Sequence, residues 1–148
     1  MSHGNIRRQE KLATKRLRDM TWDDYGITKY RYRELKNFCL QYPEKRAKVS
    51  YGLNATGANI AIRNGHIGRP TESQAVKNSR YSKDILMIEN SAREASAVIY
   101  PWIIKSVTED LSYDDIEYDQ QLGQIPICKK DFYGLRRKFY SILDKRKK

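Results

Sequence analysis

The sequence predicts an all-α protein with a long central helix and a C-terminal tri-helical helix-turn-helix unit. Three observations carry that expectation. Tyr81, Ile85, Ile88, Ala92, Ala95, Ile99 and Trp102 step alternately by four and three residues, the repeat of a helix with one packed seam. On a wheel turning about 100° per residue, Phe132, Leu135, Phe139, Ile142 and Leu143 gather on one stripe of a last helix at 128–145. Thr28 stands where an N-cap belongs, ahead of Leu35, Phe38, Cys39 and Tyr42 at helical spacing.

Residues 1–20 form the first segment, a basic N-terminal arm. Six Lys and Arg stand against Glu10 and Asp19, and Leu12 and Leu17 are too few to bury a face. A solvated arm and a DNA-contacting arm both fit. Residues 21–49 form an N-terminal helical segment. TWDDY, the turn residue Gly26 and a helix begun by Thr28 suit either a helical hairpin that only packs or a loose helix-turn-helix. Pro43 should end or kink that helix. Residues 50–70 hold four of the eight glycines and a closing proline, and read as a flexible loop or linker. His66 lies in this stretch with nothing beside it to make a catalytic pair. Neither the Walker pattern nor GxGxxG is present, which argues against a nucleotide site.

Residues 71–148 hold the long helix and the C-terminal unit. Thr71 and Gln74 can form a capping box for a helix reaching Tyr100. Its heptad seam serves either packing within the chain or a homo-oligomer joined through 81–102. Pro101 then fits the first turn of a further helix. Ser112 is placed to cap SYDDIEYDQQLG, with Asp114 and Asp115 complementing the helix dipole and Gly123 as C-cap. Pro126 belongs to the turn before the last helix.

Charge divides this unit sharply. Residues 101–127 carry net −5, whereas residues 128–148 hold nine Lys and Arg against Asp131 and Asp144, net +7. An acidic supporting helix held away from phosphates and a basic helix in the major groove would produce that division. On this reading the partner is double-stranded DNA. Lys130, Arg137 and Tyr133 face base edges, while Lys129, Arg136, Lys138 and the DKRKK end touch phosphate. Gly134, costly inside a helix, suits a close approach to a phosphate backbone, although plain neutrality fits equally.

Composition bounds the remaining classes. With 39% hydrophobic and 32% charged residues and a net charge of +11, the chain suits one domain or two small ones with affinity for a polyanion. Eleven tyrosines argue against pure disorder. No apolar run reaches the ~18 residues of a membrane helix, so no membrane partner is expected. No signal peptide is read, which points to a reducing cytosol. Cys39 and Cys128 match no metal spacing and are expected to be small buried hydrophobes. No metal, cofactor or enzymatic activity is expected, since Asp114, Asp115, Glu117 and Asp119 are more simply a dipole-complementing face than a Mg²⁺ site.

Ser112-Tyr113-Asp114-Asp115-Ile116, Leu122-Gly123 and Ile125 resemble the supporting helix and turn of the region-four helix-turn-helix of sigma factors. The stretches YGITKYRYRELKNFCLQYPEKR at 25–46, YSKDILMIENSAREASAVIYPWI at 81–103 and FYGLRRKFYSILDKRK at 132–147 resemble small phage-encoded transcription regulators of the RinA/ArpU type. These are late-gene activators from prophages of Gram-positive bacteria. The resemblance implies sequence-specific promoter binding in a bacterial host cytosol and contact with host RNA polymerase. The alternative is a DNA-packaging component similar to a small terminase subunit, which also needs a helix-turn-helix and an oligomerising helix. An RNA-binding protein would carry a similar charge, but no RNA-recognition motif is visible.

Overall fold

A computed structural model describes residues 15–49 and 72–148, the side chains of 72–75 excepted, and its architecture is all-α. Most of the N-terminal arm, the 50–70 linker with His66, and the Thr71–Gln74 capping box lie outside the described residues.

A 3₁₀ turn at Leu17–Asp19 leads into a knot of turns at 22–26. Thr21 and Asp24 cap each other: the Thr21 N–H donates to Asp24 at 2.9 Å, and the Asp24 N–H donates to the Thr21 hydroxyl at 3.2 Å. Gly26, at φ +71°, releases the chain in the left-handed conformation that glycine adopts without strain. Helix α1, Lys29–Leu40, begins where the Thr28 hydroxyl accepts the Arg31 N–H at 3.2 Å. It ends at Leu40, and Pro43 fits the first turn of the next helix, α2, at 42–49. Leu35 and Cys39 are wholly buried and Tyr42 nearly so.

Helix α3, Glu72–Ala95, stops five residues short of the expected end at Tyr100. Ser96 provides the reason. Its hydroxyl accepts the Ile99 N–H at 3.0 Å, capturing a donor that a continued helix would have used. Helix α4, Tyr100–Glu109, follows with Pro101 in its first turn. Asp110 ends it in the left-handed conformation, φ 54°, and the Leu111 N–H returns to the Ser106 carbonyl.

The expected supporting helix at 112–122 is reduced to a single turn. Ser112 does cap it with a full capping box, but α5 spans only Tyr113–Ile116. Two short antiparallel strands follow, β1 Tyr118–Asp119 and β2 Gly123–Gln124, with Tyr118 opposite Gln124 and Asp119 opposite Gly123. Asp119 drives the departure. Its carboxylate takes the N–H groups of Gln121 and Leu122, at 2.8 and 2.9 Å, and folds the chain back on itself. Gly123, at φ +82°, therefore serves the hairpin rather than capping a helix. The C-terminal unit thus keeps three successive helices, but a one-turn helix and a hairpin stand where the supporting helix was expected.

Helix α6, Lys129–Lys147, runs through the middle of the molecule and packs on α3, the 3₁₀ turn, α4 and α1. Phe132, Phe139 and Leu143 of the expected stripe are fully buried. Residues off that stripe are buried as well: Gly134, Ser141 and Asp144. The seam of α3 is spent inside the chain as well. Ile88, Ala92, Ala95 and Ile99 belong to the same core as Leu35, Phe132 and Leu143. The middle of the seam expected to join a homo-oligomer through 81–102 is thus covered within the chain. Trp102, the last seam position, instead ties the hairpin down by donating its indole N–H to the Gly123 carbonyl at 3.2 Å. A single core reaches from Ile27 to Leu143, so segments 21–49 and 71–148 fold together rather than as separate units. Among the described residues, no helix is long and apolar enough to cross a membrane.

The exchange Gly134→Ala provides a test of this packing. In an ordinary helix interior it should stabilise by about 1 kcal/mol. Here the new Cβ would stand 2.9 Å from Arg18 Cα and 2.9 Å from the Leu17 carbonyl oxygen. Thermal unfolding should therefore show a loss of about 1–3 kcal/mol. A stabilised variant would mean that residues 17–18 do not lie on the helix.

Candidate nucleic-acid interface

The six side chains expected to meet DNA are placed differently from one another. Lys129 is exposed and pairs with Asp114 at 2.8 Å, and Lys130 is exposed, 3.6 Å from Asp19. Tyr133 is half-buried. Its hydroxyl accepts the Tyr113 N–H at 3.0 Å, and its ring lies 4.6 Å from the Arg136 guanidinium. Arg136 also donates to the Ser106 hydroxyl at 3.2 Å. Arg137 gives its Nε–H to the Met20 carbonyl at 2.8 Å and a second donor to the Arg18 carbonyl at 3.2 Å. Lys138 is half-buried and lines a groove with Lys15, Glu94 and Lys145.

This geometry corrects the expected recognition helix. Residues 17–22 lie across the face of α6 that was to enter the groove. Tyr133, Arg136 and Arg137 hold the chain to itself, so base reading by Arg137 and Tyr133 has no exposed side chain behind it. The carbonyls of a short 3₁₀ turn lack helical partners, and a long guanidinium reaching across supplies their donors. Arg18 adds an ion pair to Asp131 at 3.3 Å. Only the ends of α6 face solvent: Lys129 and Lys130 at one, Lys145 to Lys148 at the other.

The acidic residues are also engaged locally. Asp114 pairs with Lys129, Asp115 completes the Ser112 capping box, and Asp119 binds Lys105 as well as its own hairpin. The Lys105 hydrogen bond, with the Leu122 N–H, holds the Asp119 carboxyl below its ordinary range. Backbone and side-chain hydrogen bonds from Ser112 do the same for Asp115. The acidic residues of 101–127 are therefore tied up largely within their own segment, with Lys129–Asp114 joining it to the basic helix. Cys39 is fully buried, and burial pushes its thiol up, so it stays a protonated apolar group. Cys128, expected to be buried, is exposed as the N-cap of α6.

A second basic surface lies on α1. Lys29, Tyr30, Arg33, Glu34 and Asn37 are all exposed, and at about 100° per residue they fall within a sector of about 140°. Leu35 and Cys39 project from the opposite side. The sequence signal was available: the wheel that located Phe132 and Phe139 also separates Lys29, Arg33 and Asn37 from Leu35 and Cys39. The basic end of α6 lies along the flank of α1. Lys147 Nζ is 3.8 Å from the Phe38 ring centroid, and Asp144 accepts Arg31 at 2.6 Å and Lys148 at 3.4 Å. Helix α6 continues to Lys147, so most of DKRKK is helical rather than a loose tail.

No family model, curated protein or solved structure matches this chain.

Arg31–Asp144 is the ion pair that orients the two basic elements. Asp144 is nearly buried, and burial alone would push its carboxyl up. The Arg31 hydrogen bond and charge, joined by Lys148, outweigh this and leave it below its ordinary value. A depressed folded pKa contributes stability above the unfolded carboxylate value, about pH 4, and loses it as the pH falls through the folded value. Asp144→Asn should cost roughly 2–4 kcal/mol at pH 7, with the gap to the parent narrowing below about pH 4. Denaturant unfolding across pH 2–7 measures it, and a gap independent of pH would contradict this role for the pair.

Proposed function

We propose that this chain binds double-stranded DNA and acts as a transcription regulator of the late-gene activator type that its sequence resembles. One observation carries the binding part. Most described carboxylates are tied to neighbouring cations or caps, while exposed Lys29, Arg33, Lys145 and Lys147 have no carboxylate within ion-pair distance among the described residues. Part of the chain's positive surplus is thus presented outward on α1 and on the end of α6 beside it. A polyanion meeting that surface would release its condensed counterions, which supplies affinity without sequence preference. Sequence-specific promoter recognition and contact with host RNA polymerase belong to the same proposal and rest on the resemblance. The packaging alternative loses its main support, because the middle of the seam on which its oligomer depended is buried within one chain.

Polarisation titrations of a labelled random-sequence duplex test this reading. Affinity should fall linearly on logarithmic axes as salt rises, with a slope near −0.9 for each phosphate contacted. Joint replacement of Lys145 and Lys147 by Ser should flatten that slope by about 2. Absence of measurable binding at low salt would sink the proposal, and an unchanged slope would remove the end of α6 from the interface.

A further inference from the structure

Resting on the DNA-binding reading, we propose that α1, rather than α6, is the helix that reads bases in the major groove, with Arg33 and Asn37 as readers and Lys147 on its phosphate flank. A reading helix needs a free face, and α1 has one: Tyr30 is 71% exposed, and Lys29, Arg33 and Asn37 are exposed beside it. Twelve residues give a helix about 18 Å long, and a helix of ordinary diameter fits a groove about 12 Å wide.

The side-chain chemistry suits that face. Arginine offers guanine a two-pronged donor, and asparagine pairs with adenine through its amide. Arg33 and Asn37 are one helical turn apart, so they project in nearly the same direction. The Arg33 guanidinium lies 5.7 Å from the Tyr30 ring centroid, which limits its wandering and leaves its N–H donors unclaimed among the described residues.

Electrostatics point the same way. The first turn of α1 contains no acidic residue and instead bears Lys29 and Arg31. Cations at the positive end of a helix dipole are unfavourable in isolation, and a phosphate nearby reverses the sign. The carboxylate on this face, Glu34, is already held by Arg31 at 3.0 Å. Beneath the helix the support is rigid. Thr28 caps it, Leu35 and Cys39 are wholly buried, and Tyr32 packs between Trp22 and Tyr140 at 4.6 and 5.3 Å. A base-reading side chain needs such a fixed platform.

The test uses the full chain. Duplexes are selected from a random pool by the parent protein and, separately, by Arg33→Ala and Asn37→Ala. Both substitutions lie on exposed positions, and matching melting curves confirm the fold. The parent should enrich a motif, and each variant should lose preference at one position of it. Affinity for the selected duplex should fall about ten- to hundredfold while affinity for random duplex stays within about twofold. Lys147→Ser should weaken both duplexes alike. Enrichment of one and the same motif by parent and variants would overturn the proposal. So would an equal loss on selected and random duplex, or preference for single-stranded RNA over either. Binding of random duplex with no motif enriched would overturn base reading on α1 yet leave the DNA-binding proposal standing. No retention of any duplex at low salt would remove both.

Discussion

The absence of a Cβ at Gly134 is the constraint on which the placement of α6 depends. It lets the backbone of Leu17 and Arg18 settle directly on the helix. Once they are there, the carbonyls of Arg18 and Met20 need donors, and Arg137, one turn further along the same face, supplies both. Arg18 pairs with Asp131 one turn earlier, and Lys130 stands near Asp19. A helix that looked amphipathic, with one apolar and one polar side, thereby becomes interior on both. Its polar side is covered by polypeptide rather than by water or nucleic acid.

The same arrangement explains why buried polarity on α6 is tolerated. Removing a charge from water costs several kcal/mol unless partners replace the hydration. Asp144 has Arg31 and Lys148, and Arg137 has two carbonyls. Such groups contribute little net stability when satisfied, but leaving one unpaired would be expensive. Their geometric demand exceeds that of apolar packing, since each accepts only a narrow range of distances and angles. They fix the register of residues 17–22 on one side of α6 and of α1 on the other, while Phe132, Phe139 and Leu143 supply the burial.

Local chemistry was the most legible part of the sequence. The caps at Thr28 and Ser112, the break ahead of Pro43, the place of Pro101 in a first helical turn, the turn at Gly26 and the buried anchors of α6 all follow from rules spanning four residues or fewer, or from a simple periodicity. Features that depend on partners far along the chain were not legible. Nothing near Arg137 signals that its acceptors lie more than a hundred residues away. Asp119 overrode an apparent helix because one carboxylate competes effectively for two backbone donors, a contest that periodicity does not register. The division of charge between 101–127 and 128–148 was real in sequence but said little about space, because Asp114 reaches across it to Lys129 while Asp119 is held by Lys105 of its own segment.

For the functional surface, the consequence is that charge and accessibility have to be considered together. The densest run of cations is on α6, yet in its middle those cations are consumed by the fold. Helix α1 carries fewer, but Lys29 and Arg33 occupy the side opposite its buried residues, on a helix fixed by a cap, a core face and an aromatic cluster. Arg31 shows how the two roles separate along a single helix. Turned inward, it satisfies Asp144 and helps lock the end of α6 beside α1; two residues later, Arg33 is turned outward, against the exposed Tyr30 ring. A cation committed to an internal carboxylate yields little to an incoming phosphate, because binding must first break that pair. A cation held only against an aromatic face has no ion pair to break, and so, on the proposed DNA-binding reading, the outward side of α1 is where a phosphate would gain more than on the middle of α6.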